Sequence, residues 1–243
     1  MTTLSIGPLR RPQQDLVVEG EVSFPLYKRV LDVVLSSAAL IASMPVAVLI
    51  ALAICIDSRG PVIYSQERVG LDRRKGGRMA LGTNRRKSVG YGRPIRIYKF
   101  RSMIVNAERH SGPVWALRSD PRATRVGAIL RRTHLDELPQ FLNVLLGDMT
   151  IVGPRPERPQ LFCNLVAALP EYALRTRVLP GITGLAQIRN GYDDSLESAA
   201  RKVQYDLDYM RNSSLRLDLE IMVATAAVLV RGKEHAGPSE RLH

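Results

Sequence analysis

From Val33 to Ile56 the chain reads VVLSSAALIASMPVAVLIALAICI, without one charged side chain. The run exceeds the roughly 18 apolar residues that mark a membrane segment. It is also longer than the roughly 7 to 15 residues of a signal-peptide core, and it starts too far from the N-terminus to be one. A straight helix over it would measure about 36 Å at ~1.5 Å per residue, enough to cross a hydrocarbon layer of about 30 Å. Pro45 sits near the middle. It has no backbone N–H and clashes with the carbonyl of Ile41, so a kink is expected, with Ser43 available to satisfy a freed backbone group. Lys28 and Arg29 precede the run, and Arg59, Arg68, Arg73, Arg74 and Lys75 come after it. Basic flanks favour the cytoplasmic side, so both ends ask for the same side. The residues alone leave two readings open: a kinked spanning helix, or a segment that enters the bilayer and returns.

The rest of the 243-residue chain is long enough for one domain with a substantial core. Residues 1–24 are polar, without apolar periodicity, and read as a flexible tail; 232–243 read as a second one. Between them lie a membrane element at 25–58 and a folded domain at 59–231. No further spanning helix is expected before Val33, which leaves a single membrane element. The net charge is +12 and nearly all of it falls between Arg59 and Arg109. Residues 72–96, rich in Gly and Arg, read as a mobile basic loop between two short strands, Val62 to Gln66 and Ile95 to Phe100. Such a loop attracts anions, and its place beside a membrane segment favours anionic lipid headgroups over nucleic acid. Cys55 and Cys163 are far apart and form no metal or disulfide spacing. P-loop, GxGxxG and GxSxG signatures are absent.

The chemistry-bearing stretch is LRRTHLDELPQFLNVLLGDMTIVGPRPERP, residues 130–159. Leu135, Leu138, Phe141, Leu142, Leu145 and Leu146 recur at helical spacing, which puts Asp136 and Glu137 at the start of an amphipathic helix. Thr133 stands three residues before Asp136 in a capping arrangement, although Pro139 disturbs the turn. Arg131 lies on one side of the acidic pair and Gly153-Pro154-Arg155-Pro156 on the other. A glycine lets the backbone approach a ligand, the prolines stiffen the segment, and an arginine fork suits phosphate oxygens. Lys99 and Arg101 in KFRSM share a strand face and could grip a diphosphate. Two carboxylates facing a diphosphate need a divalent cation, so Mg²⁺ is implied.

Taken in order, KRVLD, the apolar run with central proline, SRGPVIYSQERVG, KFRSM, the LDELPQ and VGPRP signatures, LPGITGLAQI and YDLDYMRNSSLRLDLEI closely resemble the bacterial sugar transferase family of monotopic polyprenyl-phosphate phosphoglycosyl transferases. The likeness extends over roughly residues 27–231. It implies a mainly α fold of packed helices with a small β component, seated on the cytoplasmic leaflet of the bacterial inner membrane by a re-entrant helix-break-helix. It also implies transfer of a sugar-1-phosphate from a UDP-sugar to polyprenyl (undecaprenyl) phosphate, with Mg²⁺. Asp136 would then be the nucleophile that carries a covalent phosphosugar and also meets the metal, with Glu137 the second member of the dyad. The sequence departs from the family pattern at Met44, which separates Ser43 from the membrane proline. Two other readings stand beside this one. The same transfer could run by direct displacement, or the chain could be a non-enzymatic module that binds a membrane surface through its basic loop.

Overall fold

The structure, a computed structural model, describes residues 25–72, 92–107, 120–189 and 195–231. The expected tails at 1–24 and 232–243 and residues 73–91 of the basic 72–96 stretch lie outside the described residues.

Helix α1 runs from Leu26 to Asp57 and is the one described helix long and apolar enough to cross a membrane. Its helical assignment passes through Pro45 without interruption, in contrast to the expected helix-break-helix. Ser43 donates to the carbonyl of Leu40 at 3.3 Å, one residue before the Ile41 carbonyl that proline leaves without a helical partner. The N-terminal turns of α1 are tied to the domain by the residues of KRVLD. Lys28 is buried and pairs with Asp218 at 2.7 Å, and the Tyr209 hydroxyl accepts from it at 2.8 Å. Arg29 donates to the carbonyls of Val144 and Leu145, and Asp32 accepts from the Ile151 N–H at 2.9 Å. Lys28 and Arg29 are therefore spent on protein partners and not on lipid headgroups.

The other end of α1 is held as well. Arg101 donates to the carbonyls of Ile54 and Ser58 and to the Ser58 hydroxyl, closing the helix end. Gly60, at φ +128°, leaves the space in which the Arg101 guanidinium sits. Ile50 and Ile54 pack with Phe100 and Leu130 in a small core of their own. Between these anchors, residues 37–49 include no buried side chain.

Strands β1 (Ile63–Val69) and β2 (Pro94–Phe100) form an antiparallel pair with Ile63 opposite Phe100 and Val69 opposite Pro94. The two strands read from the sequence are thus present, the first beginning one residue later and ending three later than expected, the second beginning one residue earlier. Helices α2 (Arg125–Thr133) and α3 (Gln140–Leu146) precede β3 (Thr150–Val152), which pairs in parallel with β4 (Gly181–Thr183). Helix α4 (Pro159–Ala168) and a 3₁₀ segment (Pro170–Arg177) lie between β3 and β4, and α5 (Leu185–Arg189), α6 (Leu196–Arg211) and α7 (Leu215–Arg231) come next. The main core gathers Ile97, Val144, Val152, Phe162, Tyr172 and Val203 among others.

Candidate active site

The acidic pair does not open a single helix as its leucine spacing suggests. Helix α2 ends at Thr133, whose hydroxyl donates back to the carbonyls of Ile129 and Leu130 and so closes α2 instead of capping the next turn. His134 then adopts the left-handed conformation, φ 57°. Leu135–Glu137 form one 3₁₀ turn, and Pro139 starts the next helix because it has no N–H to continue the previous one. Asp136 and Glu137 thus sit on a short pedestal between two helices.

The two carboxylates meet different surroundings. Glu137 accepts from Lys99 at 2.6 Å and from Arg155 at 2.6 Å, with a second Arg155 contact at 3.4 Å. Burial opposes its ionisation, but Arg155 and Lys99 outweigh that and hold it well below the usual glutamate range. Glu137 is the counter-ion that fixes these two cations. Asp136 is only 7% exposed, and among the described residues no salt bridge involves it. Burial raises its carboxyl to about 6; Lys99, Arg155 and Arg131 pull it down while Glu137 pushes it up. Arg131 itself leans toward Asp120, 3.7 Å away, a carboxylate that Arg122 holds with two hydrogen bonds.

Lys99, Arg155, Asp136 and Glu137 are therefore brought together, with Arg131 within electrostatic reach. Arg101 is not among them, because the end of α1 engages it. Gly153 permits a close approach, but to protein: a Cβ there would lie 2.6 Å from the Leu179 carbonyl and 3.1 Å from the Gly181 nitrogen, so its role is to let β3 and β4 meet. Among the described residues, no three His, Cys, Asp or Glu side chains are grouped to hold a metal ion. With Glu137 taken by two cations, the chain offers chiefly the Asp136 carboxylate as an oxygen donor. That suits Mg²⁺, which usually takes one or two carboxylates together with substrate phosphates and water.

Several residues that shape the site were not singled out in the sequence. Asn143, 0% exposed, accepts from the Tyr98 N–H at 3.0 Å and donates to the Arg96 carbonyl at 2.6 Å, locking α3 against β2, the strand that carries Lys99. Glu157 accepts from Lys202 at 2.6 Å and from the Tyr172 hydroxyl at 3.2 Å, and lies 3.9 Å from Arg175. Burial works against its ionisation, but Lys202 and Arg175 bring the carboxyl down to about 2. Arg175 in turn donates to Asp206. No local signal marked Asn143 or Asp206, because the buried faces of their helices carry other polar residues, Gln140 in one and Ser198 and Lys202 in the other.

The sequence profile of the bacterial sugar transferase family matches residues 24–232, and the chain belongs to that family. It is 42% identical over 202 residues to a UDP-glucose:undecaprenyl-phosphate glucose-1-phosphate transferase of Klebsiella pneumoniae, an alignment that takes in 82% of this chain and 39% of that protein. It is 38% identical over 211 residues to a UDP-N-acetylgalactosamine-undecaprenyl-phosphate N-acetylgalactosaminephosphotransferase of Aeromonas hydrophila, covering 86% of the chain and 45% of the relative. An exopolysaccharide production protein of Rhizobium leguminosarum is 40% identical over 215 residues, with 85% of this chain and 96% of the relative aligned. The chain thus spans less than half the length of the first two relatives and nearly all of the third.

Proposed function

We propose that this chain transfers a sugar-1-phosphate from a UDP-sugar to undecaprenyl phosphate, the first membrane step in the synthesis of an exopolysaccharide or related glycan. The observation that carries the reading is the buried Asp136, which has no ion pair among the described residues, beside the Lys99, Glu137 and Arg155 cluster in a chain of this family.

In this reading an Asp136 oxygen attacks the sugar-linked phosphorus of the nucleotide sugar. The bond from that phosphorus to the bridging oxygen breaks, UMP leaves with the electron pair, and an aspartyl phosphosugar remains. A phosphate oxygen of the polyprenyl acceptor then attacks the same phosphorus, and the Asp136 carboxylate is the second leaving group. The carboxylate thereby divides one displacement into two. Lys99 and Arg155, gathered by Glu137, meet the charge on the diphosphate. Mg²⁺, held by Asp136 together with the substrate phosphates, would supply charge neutralisation.

The anchoring of α1 supports a seat in one leaflet. Lys28 to Asp32 at one end and Ile54 to Asp57 at the other both contact the same polar domain, the latter through the Val126 N–H accepted by Asp57. A spanning helix would put those ends on opposite sides of roughly 30 Å of hydrocarbon, where one polar domain cannot reach both. The exposed middle, with Ile41 and Met44 outward, suits a segment that dips into the cytoplasmic leaflet and returns by bending at Pro45, although the helix itself is continuous there. Anionic lipid would then meet the basic 72–96 stretch.

Exchange of labelled UMP into UDP-sugar without lipid acceptor tests the covalent route, run over a panel of UDP-sugars. Exchange that vanishes in Asp136→Asn is expected. Acceptor-dependent turnover without any exchange would replace the covalent route by direct displacement. Absence of both would leave only the surface-binding module.

A further inference from the structure

Four consecutive carbonyls in the segment that carries Arg155 are each fixed by a donor. Pro154 accepts from the Gly181 N–H at 2.9 Å, Arg155 from Arg175 at 3.0 Å, Pro156 from Arg68 at 3.2 Å, and Glu157 from the Val69 N–H at 2.9 Å. Two of these donors are backbone groups that any sequence supplies. At the carbonyl of Arg155 itself the donor is a guanidinium, only 4% exposed, which is a costly group to bury. Arg175 is positioned by its own contacts. Its Nε donates to Asp206 at 2.6 Å, and Asp206, on α6, is 1% exposed. The guanidinium also stacks over the Tyr172 ring, with 4.6 Å to the centroid.

We propose that Arg175, held by Asp206, is a positioning residue for the nucleotide diphosphate site. It fixes the backbone of Arg155, so that the Arg155 fork points at Glu137 and at the ligand phosphates. The inference rests on the proposed transferase function and adds to it a residue that touches no substrate. A buried Arg–Asp pair contributes little net stability compared with apolar packing, so stability alone is a weak reason for one here. The planar fork explains it better: Nε reaches Asp206 and the terminal nitrogen reaches the Arg155 carbonyl along divergent directions, which a lysine ammonium cannot do from one point. Displacing Arg155 by a fraction of an ångström to an ångström weakens its grip on phosphate without removing its charge.

The test is a double-mutant cycle on full-length protein in lipid nanodiscs, with UDP as the probe and its dissociation constant as the first readout. Arg175→Lys is expected to weaken UDP binding on the order of 10-fold or more and to raise the UDP-sugar KM, leaving the polyprenyl phosphate KM unchanged. If Arg175 acts through Arg155, the double variant with Arg155→Lys binds UDP no more weakly than Arg155→Lys alone. Additive losses, or UDP binding unchanged in Arg175→Lys, overturn the positioning role. Should Arg175→Lys fail to fold by thermal melting, the same cycle is decided with Asp206→Asn, whose amide oxygen still accepts from Nε but no longer pins the charge. Wild-type protein that neither binds UDP nor releases UMP refutes the transferase function and this inference with it. UDP binding with additive losses refutes the inference alone.

Discussion

At the scale of single residues, two neighbouring carboxyls part company because of where their charges can go. Glu137 is ionised in ion pairs with two cations, whereas Asp136 is buried with no ion pair among the described residues, an asymmetry that fits the proposed nucleophile beside a fixed electrostatic clamp. The Asp136 carboxyl, raised to about 6 chiefly by burial, should leave its mark on the pH profile. In the proposed covalent route only the ionised form attacks, so kcat/KM for UDP-sugar should fall below pH 6 by about tenfold per unit. Because Glu137 is one of the groups raising that value, Glu137→Gln, besides losing activity, should move the acid limb to lower pH. An acid limb left in place would mean that another group governs it. Stability runs in the opposite sense. A carboxyl raised in the folded state favours the native form below its unfolded value near 3.8, and that contribution is lost as pH rises through about 6. At pH 7.5 the ionised Asp136 should therefore cost up to about 3 kcal/mol. Asp136→Asn should melt higher than wild type at pH 7.5 while losing UMP exchange, and the gap should narrow as the pH is lowered toward 4. A mutant that melts lower at pH 7.5 would contradict the burial of an unpaired charge there.

At the scale of elements, α3 carries the clearest structural burden. Asn143 is its link to β2, and β2 brings Lys99 to Glu137. Asn143→Leu keeps the volume roughly but leaves the Tyr98 N–H and the Arg96 carbonyl, both part-buried, without their side-chain partner. At roughly 1 to 3 kcal/mol per orphaned group, a loss of about 3 kcal/mol in denaturant unfolding is expected. A loss under about 0.5 kcal/mol would show that water or another donor replaces the amide. The elements whose signal is local were legible: the strands read at 62–66 and 95–100 on either side of the basic stretch correspond to β1 and β2. The pedestal was not, because leucine spacing is blind to the turn at His134 and continues in phase past Pro139. Lys99, Arg155 and Glu137 could be nominated by residue type, but Arg175 and Asp206 owe their roles to partners 20 and 31 residues apart in sequence, which no local pattern encodes.

For the whole molecule the decisive quantity is the side of the membrane on which each end of α1 lies. Anchors at Lys28, Arg29 and Asp32 and at Ile54 and Asp57 hold both ends against one domain, and removing them would expose buried charges as well as apolar surface. Pro45 opposes a straight helix, since a proline inside one costs on the order of 3 kcal/mol. Pro45→Leu removes that penalty and adds apolar surface, so a straight, spanning form should gain population. To reach it, Lys28 would have to leave Asp218 and Tyr209, and it and Arg29 would have to cross the bilayer, so a mixture of topologies is expected and not full inversion. The measurement is labelling of intact cells by a membrane-impermeant thiol reagent, using a cysteine placed at Ser5 after replacement of Cys55 and Cys163. With Pro45 in place the cysteine should be protected; with leucine it should be partly labelled, and UMP exchange should fall in proportion as the domain loses its seat. Labelling from outside with Pro45 in place would establish a spanning helix. In that case Lys28 and Arg29 could not both sit on the domain and lie across the bilayer from it, and the re-entrant arrangement would have to be abandoned whatever the leucine variant did.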